Sequence, residues 1–474
     1  MKKLFGAMVV GAGLFISMSS VSGQVNSAFE KVNCPTGINA TTCGFVSVPE
    51  NRAKPEKKIK LFVTISKAKT EKQEPLFFLS GGPGEHGAQY AVLAQLFTTR
   101  DFIAFDQRGV GRSLPALNCD TTAAGSETLA ASADATLKIL TICGENWKTQ
   151  GIDLTAYHAT ESAADVNDIR LALGYEKISL FGVSYGTRLA QEVMRTFGST
   201  LKSVLIDSVI PPQIDRSADT IYSIDESLKK VFATCKADGF CSGKYPNLET
   251  EYQNLYLALN AKPLEVTLAK ETFFMDGDTM QNLIFTSLYS PDGIAELPQL
   301  LFNLKAGQGN ALQGKFVEQF FNSVSAGISF GAFFTHECRG EFAFSSLAQL
   351  RLTYAALPQW ANTFKTNVGM SSERGFSLCQ NLGLTTPSGL ENMAVTSNVR
   401  TLLMAGEFDP VTPVRYLPIA SAGLKNSVSV AIKGGAHAVS LATQCGLSIM
   451  LKFFANLEIA LDVMCANQGK IRFL

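Results

Sequence analysis

A serine in the stretch FGVSYGTRLA (Phe181–Ala190) lies between two glycines, each two residues away from it. Gly182, Ser184 and Gly186 form the pattern G-x-S-x-G, which follows the strand-like run KISLFGV and precedes a helical pattern. At such a junction the chain turns sharply and presents the serine hydroxyl at the amino end of the helix. The two glycines let neighbouring backbone pass close to the turn. The pattern therefore predicts that Ser184 is a nucleophile.

A serine hydroxyl is a weak nucleophile near neutral pH, so it needs a general base, and the base needs an orienting acid. The chain has four histidines, and His437 in KGGAHAVS follows the last strand-like run, which makes it the predicted base. Asp409 in GEFDPVTP is the predicted acid, because Pro410 and Pro413 would fix its loop. Asp207, at the end of an earlier strand-like run, is the alternative acid.

Attack on a carbonyl group creates an oxyanion, which backbone N–H groups can stabilise. The amide of Tyr185, directly after the nucleophile, is the first predicted donor. The second is predicted in LSGGPGEHG, where Gly82 is preferred and Gly81 is the alternative. A phosphate-binding loop is disfavoured for this stretch, because no GK[ST] sequence follows it.

The order of apolar runs predicts the elements that position these residues. Short β-rich runs alternate with helical patterns up to about residue 210, which predicts a mostly parallel sheet covered by helices. The alternation stops at Pro211 and returns at Arg400–Gly406, so an inserted, mainly helical cap is expected between them. We predict a signal peptide over residues 1–23, a first core part over 24–210, the cap over 211–395 and a second core part over 396–474.

Four motifs and a histidine occur in a fixed order: GGPG (Gly81–Gly84), DQRGVGRS (Asp106–Ser113), GVSYGT (Gly182–Thr187), GEFDPVTP (Gly406–Pro413) and His437. Together they resemble the proline iminopeptidase-like α/β-hydrolases, and most closely their exported tripeptidyl aminopeptidase-like branch. The resemblance covers nearly the whole chain after the N-terminal segment, although it is loose in the cap. It implies an α/β-hydrolase fold with a helical cap, and removal of residues from free peptide N-termini.

The resemblance also implies roles for residues outside the triad. Asp106, Arg108 and Gly109 would brace loops beside the active site, and a buried arginine–aspartate pair would order a loop there. Glu337 and Glu341, in THECRGEFAF, would hold the ammonium group of the substrate. Solvated glutamates on a helix surface are the alternative interpretation of these two residues.

Three positions depart from the family pattern. Ser80 stands where relatives often have histidine, Gly340 where they often have a second acid, and Leu382 where they have tryptophan. The last two changes fall where the substrate is chosen. They weaken the prediction of a particular peptidase specificity more than the prediction of a serine hydrolase.

The N-terminus and the cysteines predict export. Lys2 and Lys3 precede an apolar run and then small residues, which is typical of a signal peptide cleaved after Gly23. A membrane anchor is the alternative, but the run is shorter than the roughly 20 residues of a spanning helix. Ten cysteines in an exported chain suggest disulfides. Neighbouring positions suggest the pairs Cys34–Cys43, Cys119–Cys143, Cys235–Cys241 and Cys445–Cys465, which leaves Cys338 for Cys379. The sequence alone does not determine this connectivity.

The overall charge limits the class of partner. With 41 basic and 41 acidic residues the chain has no net charge, which argues against nucleic acid or an anionic membrane. CxxC, HxH and HExxH are absent from the sequence, so neither a metal nor another cofactor is predicted. The expected enzyme is an exported serine aminopeptidase acting on short peptides. An esterase or amidase acting on small non-peptide substrates is the alternative, and oligomeric state and periplasmic or extracellular location stay open.

Overall fold

The computed structural model describes residues 28–70, 73–120, 129–268, 271–309, 327–365, 369, 371–386, 390–458 and 460–474. The predicted signal peptide lies outside the described residues. The strands are β1 (Phe29–Val32), β2 (Thr42–Asn51), β3 (Lys54–Ser66), β4 (Gln73–Leu79), β5 (Arg100–Phe105), β6 (Ile178–Val183), β7 (Leu201–Asp207), β8 (Leu264–Leu268), β9 (Glu271–Met275), β10 (Arg400–Gly406) and β11 (Ser427–Ile432).

Helices occupy much of the remaining described chain. The α-helices are α1 (Leu129–Thr149), α2 (Ala159–Ala172), α3 (Tyr185–Phe197), α4 (Arg216–Ala237), α5 (Gly239–Lys244), α6 (Leu248–Ala261), α7 (Gly277–Ser287), α8 (Pro291–Lys305), α9 (Phe330–Gly340), α10 (Leu347–Ala356), α11 (Pro358–Lys365), α12 (Glu373–Asn381), α13 (Tyr416–Ser421), α14 (Val439–Ala442) and α15 (Gln444–Ala455). Turns of 3₁₀ helix span Gly87–Leu96, Leu154–Ala156, Gly198–Thr200, Phe342–Phe344 and Met464–Asn467.

Nine of the described strands form one sheet in the order β1-β2-β3-β5-β4-β6-β7-β10-β11. The pairs from β5 across to β11 are parallel, whereas β1, β2, β3 and β5 pair in antiparallel fashion. The predicted α/β class, with a mostly parallel central sheet flanked by helices, is confirmed. Because the parallel strands share one direction, the loops that follow β4, β6, β7 and β10 meet at one edge of the sheet.

The central parallel strands β5 and β6 are buried along their whole length, and β4 and β10 are buried except at their first residues, which explains their largely apolar sequences. In β4, Leu76 and Phe78 belong to a buried cluster that includes residues of α15, while Phe77 and Leu79 belong to a second cluster with residues of α2 and α3. This alternation is the two-residue period of a pleated strand. The sheet core is therefore a rigid support for the loops at its carboxyl edge.

Helices α4 to α12 and the hairpin β8–β9 lie between β7 and β10 in the chain. They contribute most of a separate buried cluster, in which Trp360 and Ile284 are almost fully enclosed. The cap boundaries at residues 211 and 395 stay predictions. The sequence patterns did not indicate the hairpin, because each of its strands has only five residues and short apolar runs do not distinguish strand from helix.

The first strand-like run in the sequence is KLFVTIS (Lys60–Ser66), which lies in β3, whereas the structure adds β1 and β2 before it. β1 is four residues long, and β2 contains Gly44 and Pro49, two residue types that strands usually avoid. Their weak local signal explains why the prediction missed them. Both strands lie at the antiparallel end of the sheet, away from the loops that hold the candidate site.

The ten cysteines form five disulfides, and no cysteine among the described residues is free. The bonds are Cys34–Cys43, Cys119–Cys143, Cys235–Cys241, Cys338–Cys379 and Cys445–Cys465. Cys338–Cys379 joins α9 to α12, so it fastens the cap helix that carries Glu337. Across the ranges described, no helix combines the length and apolar character needed to span a membrane.

Candidate active site

Ser184 occupies a strained turn between β6 and α3. Its φ of 55° and ψ of −122° lie in a region that L-residues rarely adopt. A β-carbon added to Gly182 would lie 2.5 Å from the carbonyl oxygen of Gly186, and one added to Gly186 would lie 2.0 Å from that of Leu79. Both glycines are therefore required by close backbone approach, which is the physical reason for the G-x-S-x-G pattern. The turn leaves the side chain of Ser184 at the amino end of α3.

His437 and Asp409 form a hydrogen-bonded pair at the same edge of the sheet. His437 follows β11 and Asp409 follows β10, and His437 Nδ1 lies 2.8 Å from Asp409 Oδ2. The Asp409 side chain has no exposure, whereas 12% of the His437 side chain is exposed. A carboxylate at Nδ1 holds the proton there and leaves Nε2 as the basic nitrogen.

The Asp409 carboxylate is held by four other groups as well. Its Oδ1 accepts the backbone N–H of Val411 at 3.0 Å and that of Thr412 at 2.8 Å. Its Oδ2 accepts the hydroxyl groups of Ser208 at 2.9 Å and Thr412 at 2.5 Å. Ser208 Oγ also accepts the N–H of Ala438, so the two loops of the pair are tied together. These contacts fix the carboxylate toward the imidazole.

Asp207, the alternative acid, faces another partner. Its Oδ2 accepts the N–H and the hydroxyl of Ser440 at 2.7 Å and 2.5 Å. Burial raises the pKa of Asp207 to about 6, although the hydrogen bonds from Ser440 oppose that shift. The geometry therefore places Asp409, not Asp207, on the imidazole of His437.

Burial alone would lower the pKa of His437, but the charge and hydrogen bond of Asp409 outweigh it, so that pKa lies above 6.5. The reverse holds for Asp409: burial would raise its pKa, but His437 and the hydrogen bonds from Thr412 keep it below its usual value. The pair is thus built to carry a proton on the imidazole and a negative charge on the carboxylate. Such an arrangement stabilises the imidazolium that forms when a nucleophile loses its proton.

These shifts predict the pH dependence of hydrolysis. The imidazole must be neutral to accept a proton, and a raised pKa delays that neutral form to higher pH. We therefore expect kcat/KM to rise with pH, with its midpoint above 6.5. Initial rates measured on p-nitrophenyl butyrate, an ester with no ionising group, between about pH 5 and 9 would check this, with intrinsic fluorescence as the control for folding. A flat profile, or a midpoint below 6.5, would contradict the assigned base.

Ser184 Oγ makes no hydrogen bond to any residue in the described part of the chain, His437 included. The backbone of Ser184 is nevertheless fixed beside the pair, since its N–H donates to the carbonyl oxygen of Asp207 at 3.0 Å. Ser208, the next residue, bonds to Asp409. Bonds between nucleophile and base are often long in unliganded enzymes and tighten with substrate.

Two backbone N–H groups beside Ser184 are available to an oxyanion. Over the residues described, neither Gly82 nor Tyr185 donates its N–H to a protein acceptor. The Gly81 N–H, the alternative donor, instead donates to Glu85 Oε2 at 3.0 Å. The preference for Gly82 over Gly81 therefore stays a prediction that agrees with this pattern of hydrogen bonds.

The loop that carries Gly82 is joined to the cap. Ser329 N–H donates to the carbonyl oxygen of Gly84 at 2.8 Å, and His86 N–H donates to that of Gly327 at 3.0 Å. Ser329 directly precedes α9. The loop that carries Gly82 and the residues directly before α9 thus share a short two-stranded ladder, in which Glu85 pairs with Ile328.

Glu337 and Glu341 are buried rather than solvated, and each pairs with an arginine. Glu337 Oε1 forms an ion pair with Arg216 from the first turn of α4. Glu341 Oε1 lies 2.6 Å from Arg188 Nη1 and 3.5 Å from Arg216 Nε. The predicted surface alternative is wrong for both residues, because each is less than 5% exposed. Their negative charge is balanced by the guanidinium groups of Arg188 and Arg216, which no sequence motif indicated.

Arg108 is fully buried and makes a bidentate pair with Asp165 of α2, with both N–O distances at 2.7 Å. It also donates to the carbonyl oxygens of Glu50 and Ala156. Asp106 belongs to a different group, since it accepts the backbone N–H of Ala88 and of Arg112. Both residues brace loops, but the arginine–aspartate pair is made with α2, a partner the motif itself did not indicate.

Tyr289, in the turn between α7 and α8, was not selected from the sequence. Its carbonyl oxygen accepts the N–H of His437 at 3.2 Å, and its ring packs edge-on against the imidazole with centroids 5.1 Å apart. The cap therefore helps to position the base. A lone tyrosine in a cap loop has no local signal, so only the fold could reveal this contact.

As for metals, the described residues contain no group of three or more His, Cys, Asp or Glu that could hold one.

A family model described as the alpha/beta hydrolase fold matches residues 74–442, which is most of the chain. The chain belongs to the α/β-hydrolase family. The matched segment contains Ser184, Asp409 and His437. The resemblance inferred from the GGPG, GVSYGT and GEFDPVTP motifs is confirmed at this level.

Named relatives of this α/β-hydrolase match only part of it. The putative hydrolase YuaR of Escherichia coli K12 is 27% identical over 244 residues, covering 47% of this chain and 48% of that protein. A tripeptidyl aminopeptidase of Streptomyces lividans is 32% identical over 197 residues, covering 37% and 36%. The serine protease Hip1 of Mycobacterium tuberculosis is 28% identical over 209 residues, covering 40% and 39%. The matches thus span about half, or less, of each relative's length.

Solved structures of the fold are more distant in sequence. An alpha/beta hydrolase from a deep-sea metagenome library is 11% identical, with a TM-score of 0.39, and covers 86% of this chain and 97% of that one. The epoxide hydrolase CorEH is 12% identical with the same TM-score, covering 88% and 100%.

Proposed function

We propose that this α/β-hydrolase is an exported serine aminopeptidase that releases residues or short peptides from free peptide N-termini. The observation that carries the hydrolase part is the His437–Asp409 pair beside a strained serine and two uncommitted backbone amides. These are the parts that acyl transfer needs: a nucleophile, an oriented base and oxyanion donors.

In the proposed first step, Ser184 Oγ attacks the carbonyl carbon of the scissile peptide bond while His437 Nε2 takes the hydroxyl proton. Asp409 stabilises the resulting imidazolium through Nδ1, and the Gly82 and Tyr185 amides donate to the oxyanion. His437 then gives the proton to the departing amine, which leaves an acyl-enzyme on Ser184. The shortened peptide is the first product.

In the second step a water molecule attacks the ester carbonyl of the acyl-enzyme. His437 accepts a proton from that water, and the same amides stabilise the second oxyanion. Collapse of the intermediate returns the proton to Ser184 Oγ and frees the N-terminal fragment as a carboxylic acid. Every proton transfer in this cycle uses the imidazole of one residue.

The aminopeptidase part of the proposal is supported by two partial relatives named as a tripeptidyl aminopeptidase and a serine protease. The cap glutamates Glu337 and Glu341 support it further. Each glutamate bonds to its arginine through Oε1. The Oε2 atoms do not belong to the fully buried polar atoms that lack a hydrogen-bond partner in the described residues. We propose that these free oxygens take part in holding the substrate, without supplying net charge.

An esterase or amidase acting on small non-peptide substrates is the second candidate. The ion pairs of Arg188 and Arg216 favour it, because a neutralised acidic pair attracts an ammonium group only weakly. Both candidates use Ser184 in the same way. They differ in whether a free amine is needed for turnover.

Acetylation of the substrate amine separates the two candidates. We expect kcat/KM for leucyl-aminomethylcoumarin to fall at least about tenfold when its amine is acetylated, since a charge-assisted hydrogen bond contributes about 1.5–3 kcal/mol. Fluorescence release by the purified protein measures both substrates, and a Ser184→Ala variant gives the background. Equal rates on the two substrates would favour the esterase or amidase.

Export is proposed from two features. The described cysteines are all paired in disulfides, which persist in oxidising compartments outside the cytosol. The N-terminal residues have the composition of a signal peptide, with cleavage proposed after Gly23. N-terminal sequencing of the protein recovered from periplasmic and culture fractions would test both the cleavage site and the location.

A further inference from the structure

The carboxylate of Glu85 lies directly beside the nucleophile, in the loop that follows β4. A β-carbon added to Gly81 would lie 3.1 Å from Ser184 Cβ and 3.3 Å from Glu85 Oε2. Only a methyl-sized gap therefore separates this carboxylate from the nucleophilic side chain. Glu85 also acts on His437 electrostatically. Burial lowers the pKa of His437, while the charges of Asp409, Asp207 and Glu85 raise it.

The Glu85 side chain is held in one orientation by two donors. Its Oε2 accepts the Gly81 N–H at 3.0 Å, and its Oε1 accepts the hydroxyl group of Tyr90. A carboxylate can accept about four hydrogen bonds, so each oxygen keeps capacity for another donor. The residue is half-buried rather than enclosed.

Glu85 has no cationic side chain within ion-pair distance among the described residues, which distinguishes it from Asp409, Glu337 and Glu341. Asp409 faces His437, while Glu337 and Glu341 face arginines. Asp207 also lacks a recorded cationic partner, but it is fully buried and bonded to Ser440, whereas Glu85 is a half-buried acid next to Ser184 that faces no cation in the described part of the chain. A carboxylate without a cationic partner can bind the ammonium group of a substrate.

We propose that Glu85 binds the α-ammonium group of the residue that becomes attached to Ser184, and so selects substrates in which that residue is the first of the chain. This inference rests on the proposed aminopeptidase function and makes it more specific. The ligand chemistry is a primary ammonium adjacent to the scissile carbonyl group. Glu85 would be a specificity residue, since it touches the substrate but exchanges no proton.

The reach of the substrate supports release of one residue at a time. The α-nitrogen of a residue lies about 2.5 Å from its own carbonyl carbon, and that carbon must approach the serine oxygen to about 3–3.5 Å. The first residue can therefore present its amine to a carboxylate beside the nucleophile. In a tripeptidyl substrate the amine lies roughly 7 Å farther away along an extended chain, beyond the Glu85 carboxylate.

The test compares the wild-type chain with Glu85→Gln, which keeps an oxygen acceptor for the Gly81 N–H but loses the charge. Three substrates are measured: leucyl-aminomethylcoumarin, its N-acetyl form and p-nitrophenyl butyrate. We expect Glu85→Gln to lower kcat/KM about 10- to 100-fold on the free-amine substrate only. On the other two substrates the change should stay within about threefold.

Glu407→Gln is the matched control. Glu407 is also a half-buried glutamate that accepts a backbone N–H, from Gly434 at 2.8 Å, and it lies two residues before Asp409. It should alter none of the three rates selectively. Labelling of Ser184 by a fluorophosphonate probe reports whether each variant keeps a folded active site.

Each other outcome rejects the inference for a stated reason. An equal fall in kcat/KM on all three substrates would mean that Glu85 only orders the loop that carries Gly82. An equal rise on all three would mean that Glu85 hinders every substrate alike. If the wild type prefers free amines and Glu85→Gln does not change that preference, Glu85 is rejected while the aminopeptidase function stands. If the wild type itself ignores acetylation, both proposals fail.

Discussion

Replacing Ser184 with alanine is expected to lower kcat by at least about 10⁴-fold on any amide or ester substrate. The variant loses the only group that can form the acyl-enzyme, while the Gly82 and Tyr185 amides still polarise the carbonyl group. The variant should therefore hydrolyse the substrate faster than water alone does, but far more slowly than the wild type. Because alanine lacks only the oxygen atom, substrate binding should be preserved.

Continuous assays on leucyl-aminomethylcoumarin and p-nitrophenyl butyrate would measure this loss, and circular dichroism would check folding. Ser199→Ala is the matched control, since Ser199 is an exposed serine in the 3₁₀ turn that follows the opposite end of α3. The control should react with a fluorophosphonate probe like the wild type, whereas Ser184→Ala should not react. A Ser184→Ala protein that keeps a tenth of the activity would exclude the proposed mechanism.

Asp409→Asn is expected to lower kcat by about 10⁴-fold at neutral pH. An amide in place of the carboxylate can donate to His437 Nδ1, which moves the imidazole proton to Nε2 and removes the basic nitrogen. It also removes the negative charge that stabilises the imidazolium. The side chain volume barely changes, so the loss would come from charge and tautomer rather than from packing.

Asp207→Asn is the control for Asp409→Asn. It removes a different buried carboxylate at the same edge of the sheet, one that does not bond to His437. Asp207 bonds to Ser440, and an asparagine oxygen can still accept those hydrogen bonds. We expect its kcat to stay within about tenfold of wild type, with thermal unfolding as the check on stability. A larger loss for Asp207→Asn than for Asp409→Asn would reverse the assignment of the acid.

Sequence reasoning identified the local parts of this site because each has a local physical cause. The strained turn at Ser184 needs Gly182 and Gly186 for close approach, and glycine is visible in a sequence. The Asp409 loop is marked in the same way by Pro410 and Pro413. The parallel strands were visible as well, since burial on both faces makes them continuous apolar runs.

What could not be predicted are contacts between residues distant in the chain. Arg188 and Arg216 neutralise the cap glutamates from α3 and α4, and Tyr289 reaches His437 from the cap. None of these side chains belongs to a motif, so only their positions in space give them meaning. Glu85 is part of the stretch LSGGPGEHG. Its proposed role depends on two features that only the structure shows, namely its position beside Ser184 and its lack of a cationic partner among the described residues.

The ladder between Gly84–His86 and Gly327–Ser329 limits how this enzyme could be re-engineered. Grafting the cap of another hydrolase between β7 and β10 would break that ladder unless the donor supplied an equivalent strand before α9. The loop that carries Gly82, the proposed oxyanion donor, would then lose part of its support even though no residue in the sheet domain had been changed. Chimeras that keep residues 327–329 from this chain should therefore retain turnover better than chimeras joined downstream of them.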